Sequence, residues 1–392
     1  MKKILMRLAA VSAAVVVAVI LGIKLFVGAV NFPLGHGQAS ANELSAHVRL
    51  PPGFQVNVYA DDVPNARELR LTHRGDLLVA TPNRDQVLLL LRDANNDGRH
   101  DGKRVLLDKL NAPNGMDFYT DATQQDWLYV AEQNAIGRIR FDHNAGKTIG
   151  SYERVVSDLP GGGNHWKKSL RFGADGFMYV SIGSSCNACV ENDTRRATLM
   201  RYQPDGSNEE IYASGLRNSE GFDWSPRDGA LYATDNGRDL LGDDFPPCEL
   251  NRIEPGRFYG WPFANGNRVP DPDNGAGHAD EIALSLPPAH AFRAHNAPLG
   301  IAFLRSTRVP EGYRNAALVA LHGSWNRSIK DGYKVVSLHW QTDGRIEERD
   351  FMAGFLQDDK TIGRPAEIVE ASNGDIYISD DYAGAIYRVS YP

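Results

Sequence analysis

Six short apolar runs, spaced almost evenly along the chain, restrict the fold more than any other feature. They read GDLLVAT from Gly75, DWLYVAE from Asp126, DGFMYVSI from Asp175, DGALYATD from Asp228, NAALVALH from Asn315 and NGDIYISD from Asn373. Most begin at a Gly, Asp or Asn turn signal and continue as a strand. With Leu77, Leu128, Met178, Leu231, Ala317 and Ile376 taken as equivalent, the steps are 51, 50, 53, 86 and 59 residues. Several copies lead into a second apolar strand, as in AIGRIRF, LNRI, KVVSLHW and GAIYRV. Long helical periodicity is missing downstream of Leu50. Repetition at this length marks radially arranged four-stranded sheets, so the expected fold is all-β, a six-bladed β-propeller. A β-sandwich ranks below it, because each unit repeats its own internal order and the spacing exceeds that of sandwich hairpins. The 86-residue step holds a loop-rich insertion, GWPFANGNRVPDPDNGAGHADE, expected on one face.

The N-terminus reads differently. Lys2, Lys3 and Arg7 precede an apolar run from Leu8 to Val30, and ASA at 39–41 offers a small-residue cleavage site. This is an export signal, and residues 8–30 are also long enough to remain as a membrane anchor. The expected division is therefore 1–44, signal peptide or membrane anchor with linker, and 45–392, the propeller. Basic residues stay on the cytoplasmic side, which makes the propeller periplasmic or exported, freed by cleavage or anchored in the inner membrane. A hydrophobic content of 42% with 23% charged residues is globular composition. A net charge of −7 without a basic stripe argues against nucleic-acid binding.

Polar and cationic residues recur beside the strand copies. Asn114 lies in NAPNGMDF, His165 and Lys168 in GGNHWKKSLRFG, and Arg217 with Asn218 in SGLRNSEGFDW. His322 and Arg327 follow the fifth copy in LHGSWNRS, and Arg364 precedes the sixth in TIGRPAEIV. Singly, each reads as a solvated loop residue. Together, at equivalent points of consecutive blades, they would ring one pore mouth with cations, and like charges gathered in a cleft call for an anion. The implied ligand is compact and polyanionic.

The motifs NHWKKSLRFG, SSCNAC, GLRNSEGFDWSP, FYGWP and ALVALHGSWNRS…GYKVV resemble those of the soluble pyrroloquinoline-quinone (PQQ)-dependent sugar dehydrogenases. This is the glucose/sorbosone dehydrogenase family, with the sorbosone and aldose-sugar branch the nearer one. The similarity runs from about Leu50 to the C-terminus. It implies a six-bladed propeller that oxidises an aldose or related polyhydroxy aldehyde and passes electrons to an external acceptor, a quinone or cytochrome. His165 matches the residue that takes the proton of the anomeric hydroxyl while hydride passes from C1 to the quinone. An imidazole suits that task, its ordinary pKa lying near working pH. The resemblance places Arg217 and Asn218 at the quinone oxygens, Arg217 stabilising developing negative charge. It places Asn114 near the quinone, Arg364 on a PQQ carboxylate, and Arg327 and Lys168 as further partners. A Ca²⁺ ion is implied on the main-chain carbonyls of Gly237 and Arg238, in ATDNGRDLLGDD. One departure stands out: where glucose-type members back the histidine with aspartate, this chain has Ser184, leaving Asp235 or Glu191 as conceivable carboxylates.

Two further signals concern metals and redox. Asp93, Asn95, Asp97 and Asp101 with Gly98 resemble a calcium loop, but Arg104 stands where an EF-hand needs a carboxylate. A structural Ca²⁺ and a plain Asx-rich turn are both open there. Cys186 and Cys189 form a CxxC without the ligands of a zinc site or the helix of a thioredoxin, which favours a small local disulfide. Two competing functions remain: a calcium-dependent propeller hydrolase of the sugar-lactonase kind, which needs carboxylates around a metal rather than cations, and a non-catalytic glycan- or protein-binding propeller.

Overall fold

A computed structural model describes residues 46–391. The expected signal or anchor segment, 1–44, lies outside the described residues. Among those described, no helix is long and apolar enough to cross a membrane.

Six sheets are arranged around an axis. The first strands of the sheets are Leu69–Leu71, Met116–Thr120, Lys168–Phe172, Phe222–Trp224, Pro298–Phe303 and Pro365–Glu370, for blades 1 to 6 in chain order. Each first strand touches that of the next blade, and blade 6 returns to blade 1, so the ring closes. Blades 1, 2 and 5 are simple four-stranded antiparallel meanders. In blade 6 the outermost strand comes from the other end of the chain: Gln55–Ala60 pairs antiparallel with Ala385–Ser390. That strand fastens the ring.

The six apolar runs are the second strands of the six blades. Five of them are buried along their whole length. The reason is that a second strand is covered on both faces by neighbouring blades. Strand side chains alternate, so Leu77 and Val79 pack toward blade 6 while Leu78 and Ala80 pack toward blade 2. The core is correspondingly divided into clusters between successive blades. The 86-residue step contains Arg257–Phe258, which adds a parallel fifth strand to blade 3, a small hairpin at Ala264–Asn265 and Val269–Pro270, and one short helix, Ala279–Leu284.

Close approach of neighbouring blades requires glycine at Gly221. A Cβ at Gly221, just before the first strand of blade 4, would lie 2.3 Å from the Leu299 carbonyl oxygen of blade 5. Backbone cannot yield there as a side chain could. Gly221→Ala is expected to destabilise the fold by about 1–3 kcal/mol, the usual cost of overpacking, read as a lower Tm in thermal unfolding.

Candidate functional site

In an antiparallel blade the chain begins its first strand and ends its second strand at the same rim. Loops leading into first strands and loops leaving second strands therefore share one face. There they enclose a cavity of about 220 Å³. The loops before first strands supply Arg67, His165, Lys167, Arg217, Asn218, Glu220, His295 and Arg364. The loops after second strands supply Asn236, Gly237, Asp239, His322 and Trp325.

His165 rests against Gly183, where a Cβ would lie 2.5 Å from the His165 Cβ and 2.8 Å from Asn218 Oδ1. Only a bare backbone leaves room for the ring. His165 Nδ1 lies 2.8 Å from Ser184 Oγ and 3.2 Å from the Ser184 carbonyl, and the Ser184 hydroxyl donates to the Cys186 carbonyl at 2.8 Å. A hydroxyl has one proton to give and a carbonyl none. Both oxygens facing Nδ1 are thus acceptors, the imidazole proton sits on Nδ1, and Nε2 keeps its lone pair. Burial, reinforced by the Arg217 charge, lowers the His165 pKa to about 3. The ring is neutral at any ordinary pH. Ser184 stands against the histidine, and neither conceivable carboxylate does: Asp235 accepts the Arg217 and Asn218 main-chain N–H groups, and Glu191 accepts from Ser185.

Arg217 uses every donor it has. Its Nε donates to the Asn187 carbonyl, Nη1 to the carbonyls of Asn236 and Gly237, and Nη2 to Asn187 Oδ1 and Asp239 Oδ2, at 2.8–3.1 Å. A guanidinium carries five N–H groups, and all five are engaged. Its positive charge reaches the cavity, while no hydrogen bond is left over for a ligand in this arrangement.

The remaining cations differ in their pairing. Arg67 is held by Glu220 and by Asp381, the latter at 2.7 Å. Asp381 also accepts from His322 Nε2 at 2.8 Å. Burial pushes the Glu220 carboxyl up, but Arg67 and Lys167 outweigh it and hold the pKa at about 2. Arg364 donates only to the carbonyls of His322 and Gly323, at 3.0 and 2.9 Å. Lys167 lies 5.1 Å from the Trp166 ring and makes no ion pair among the described residues. Lys167 and Arg364 thus face the cavity without a direct ion pair, although Asp381 lies close enough to favour both charges and Glu220 that of Lys167. Below it, Arg171 bonds Glu68 at 2.5 Å and Glu367 at 3.4 Å, a buried polar layer on the inner strands of blades 3, 1 and 6.

Of the residues expected at the site, His165, Arg217, Asn218, Gly237 and Arg364 come together. Three expected cofactor partners do not line the cavity. Lys168 is the first residue of its strand and points the opposite way from Lys167; it is buried, and its Nζ donates to the Trp166 carbonyl at 2.7 Å. Asn114 is buried and donates to the Lys168 carbonyl at 3.2 Å. Arg327 binds the Asp243 and Ala294 carbonyls and the Asp244 carboxylate. The Arg238 side chain pairs with Asp271 and Asp273, tying the insertion to the rim. Arg67, Lys167, Glu220, Asp239 and His295 are additions that the sequence reading did not include. Arg67 and His295 had a signal, for they precede the first strands of blades 1 and 5 as His165 precedes that of blade 3.

The four residues of the calcium-like loop are occupied internally. Asp93 accepts from the main-chain N–H groups of Asp97 and Gly98 and from Arg388, Asn95 accepts from Asp97 N–H, Asp97 from Arg99 N–H, and Asp101 from Ala94 N–H. That is the Asx-turn pattern. Among the described residues, the His, Cys, Asp and Glu groups with converging ligand atoms are His73–Asp126–His143 and Cys186–Cys189–Glu191, not this loop. The two sulfurs are joined as a disulfide. The rings of His73 and His143 stack in parallel, 3.7 Å apart, so their in-plane lone pairs do not converge on one ion.

A propeller with a cation-lined axial cavity around a neutral, oriented imidazole has the makings of an enzyme site for an anionic organic cofactor. The chain belongs to the glucose/sorbosone dehydrogenase family, whose pattern matches residues 105–388. An uncharacterised protein of Borreliella burgdorferi is 28% identical over 367 residues, covering 90% of this chain and 93% of that one. The aldose sugar dehydrogenase YliI of Escherichia coli is 25% identical over 250 residues, 56% of this chain and 63% of that protein. Among solved structures, the holo form of the pyranose dehydrogenase PQQ domain of Coprinopsis cinerea superposes with a TM-score of 0.73 at 18% identity, over 88% of this chain and 97% of that one. At that identity the superposition speaks to the fold, a six-bladed propeller. Family membership makes the chain an oxidoreductase of the sugar dehydrogenase kind.

Proposed function

We propose that this protein oxidises an aldose, or a related polyhydroxy aldehyde, with PQQ held in the axial cavity and an external quinone or cytochrome as electron acceptor. The observation that carries the reading is the pair Lys167 and Arg364, two cavity cations that make no direct ion pair among the described residues. Burial and the Arg67 charge disfavour both cations, and nearby carboxylates, Asp381 for both, offset this only in part; a multiply carboxylated cofactor would supply the missing negative charge. Arg364 has guanidinium donors left for a carboxylate, and Lys167 offers three. Asn236 Oδ1, buried on the wall without a partner, adds an acceptor for a hydroxyl. Bound there, the quinone would supply a two-electron sink.

The chain's own part in the reaction is proton handling and orientation. His165 Nε2 takes the anomeric hydroxyl proton as the C1 hydride departs. Burial keeps His165 neutral, and Arg217 reinforces this with its charge at short range. Calcium fits less simply: the Gly237 carbonyl expected to hold it already accepts from Arg217 at 2.9 Å, so the ion would exchange with a guanidinium. The lactonase alternative needs carboxylates free for a metal, yet Glu220 and Asp381 are held by Arg67, and Asp239 by Arg217. An oxidising, exported location agrees with the disulfide and the basic-then-apolar N-terminus.

The test is to add PQQ, with and without Ca²⁺, to the purified protein and follow dye reduction across a panel of aldoses. Sugar-dependent reduction that needs PQQ is expected. Because the histidine stays neutral down to about pH 3, its acid limb in kcat/KM should fall near pH 3 rather than near 6.5. Dye reduction by no sugar, with the PQQ spectrum unaltered by protein, would remove this reading.

A further inference from the structure

The turn closed by the Cys186–Cys189 disulfide touches both residues at the centre of the cavity. Its Cys186 carbonyl accepts the Ser184 hydroxyl proton at 2.8 Å, which leaves Ser184 Oγ to accept from His165 Nδ1. Its Asn187 carbonyl and Oδ1 each accept from Arg217 at 2.8 Å. Asn187 also bridges the loop after blade 4's second strand: Oδ1 accepts from Asp239 N–H at 2.8 Å, and Nδ2 donates to the Asp239 carbonyl at 3.0 Å. One half-buried asparagine therefore makes four contacts with an arginine and an aspartate peptide that both border the cavity.

We propose that this disulfide-closed turn is the positioning device of the site, with Asn187 fixing the Arg217 guanidinium and Cys186, through Ser184, fixing the orientation and Nδ1–H tautomer of His165. It deepens the reading of His165 as the base and rests on it for its catalytic meaning; the positioning itself is a property of the cofactor-free chain. The ring spans a sequence separation of 3, so it restrains few conformations of the unfolded chain. Its effect is on local geometry, and that is what a base and a charged neighbour require, since small misplacements cost large factors in rate. Burial and the Arg217 charge disfavour protonation of His165, and the Glu220 and Asp239 carboxylates favour it. Loosening the turn admits water and lets the guanidinium move, which shifts the balance toward the protonated ring.

The experiment is imidazole ¹⁵N NMR on the cofactor-free protein, with the His165 signals identified by their loss in His165→Gln. In the wild type, His165 should show a protonated Nδ1 and a bare Nε2 at pH 7. Asn187→Ala should move the His165 titration upward by roughly a unit or more, and the pair Cys186→Ser/Cys189→Ser should do the same and also give mixed tautomers, each with Tm lowered by only a few degrees. In the PQQ-loaded enzyme each should lower kcat about tenfold with KM little changed. A wild-type His165 protonated on Nε2, or folded variants with the wild-type tautomer and titration, would overturn the proposal. Should the cysteine pair fail to fold, Asn187→Ala decides, its disulfide being intact. Failure of every sugar in the dye assay would count against the function and leave the NMR result standing.

Discussion

His165→Ala is expected to lower kcat for sugar oxidation by about 10²–10⁴-fold, the usual contribution of a positioned general base, and to leave PQQ affinity within about twofold. His165 is the cavity histidine whose ring contacts no carboxylate and rests only on Ser184. His322 gives its Nε2 to Asp381 at 2.8 Å, and His295 gives its Nε2 to the Gly242 carbonyl at 2.8 Å. His295 Nδ1 also lies 3.6 Å from the Asp239 carboxylate. The burial and the Arg217 charge that keep the ring unprotonated also make it a weak base, so its value lies in placement beside the departing hydride rather than in proton affinity. His165→Asn separates the two, because an amide can still donate to Ser184 but cannot take a proton. Pre-steady-state reduction of the bound quinone, read beside a PQQ titration, distinguishes a lost chemical step from a lost cofactor. A variant with the wild-type reduction rate would end the assignment of His165 as base.

Arg364→Ala should weaken PQQ retention by about 10–100-fold, with a smaller effect on the rate of the fraction that remains loaded. A hydrogen bond to a charged group contributes roughly 1.5–3 kcal/mol, and each 1.4 kcal/mol is tenfold in affinity. Arg364 fits this part because its two chain contacts are carbonyls, which fix the guanidinium plane without neutralising it. Arg327→Ala is the contrasting variant. Its side chain binds the Asp243 carbonyl and the Asp244 carboxylate away from the cavity wall, so its removal should act on Tm and leave PQQ affinity nearly unchanged. Equilibrium titration of PQQ fluorescence or absorbance measures both. Equal affinities for Arg364→Ala and wild type would take Arg364 out of the site.

The blade count was legible because strand identity is local. Gly, Asp or Asn at the turn and an uninterrupted apolar run mark a strand buried on both faces, and Leu77 to Thr81 shows why: alternate residues serve different blade interfaces. The rim carrying the site was legible for a related reason, since His165, Arg217 and Arg364 occupy the same loop relative to their strands. Lys167 and Lys168 mark where local reading stopped. Adjacent residues at a strand's start face opposite ways, and only the register of Lys168 against Ile182 decides which of the two turns inward. The calcium-like loop shows a similar limit, because only the fold reveals that Arg388 and the turn's own N–H groups reach its oxygens.

What the sequence determined by itself was the all-β propeller, its sixfold repetition, the family, and the imidazole set at the rim. The tertiary structure decided which cations are free and which are already spent on partners. Arg67 meets Asp381 across 314 residues of chain, and Arg217 gathers acceptors from two separate stretches, at 187 and at 236–239. Strand and turn formation depend on near neighbours and leave a periodic trace. Charge compensation depends on distances between loops of different blades, and these exist only once the ring has closed.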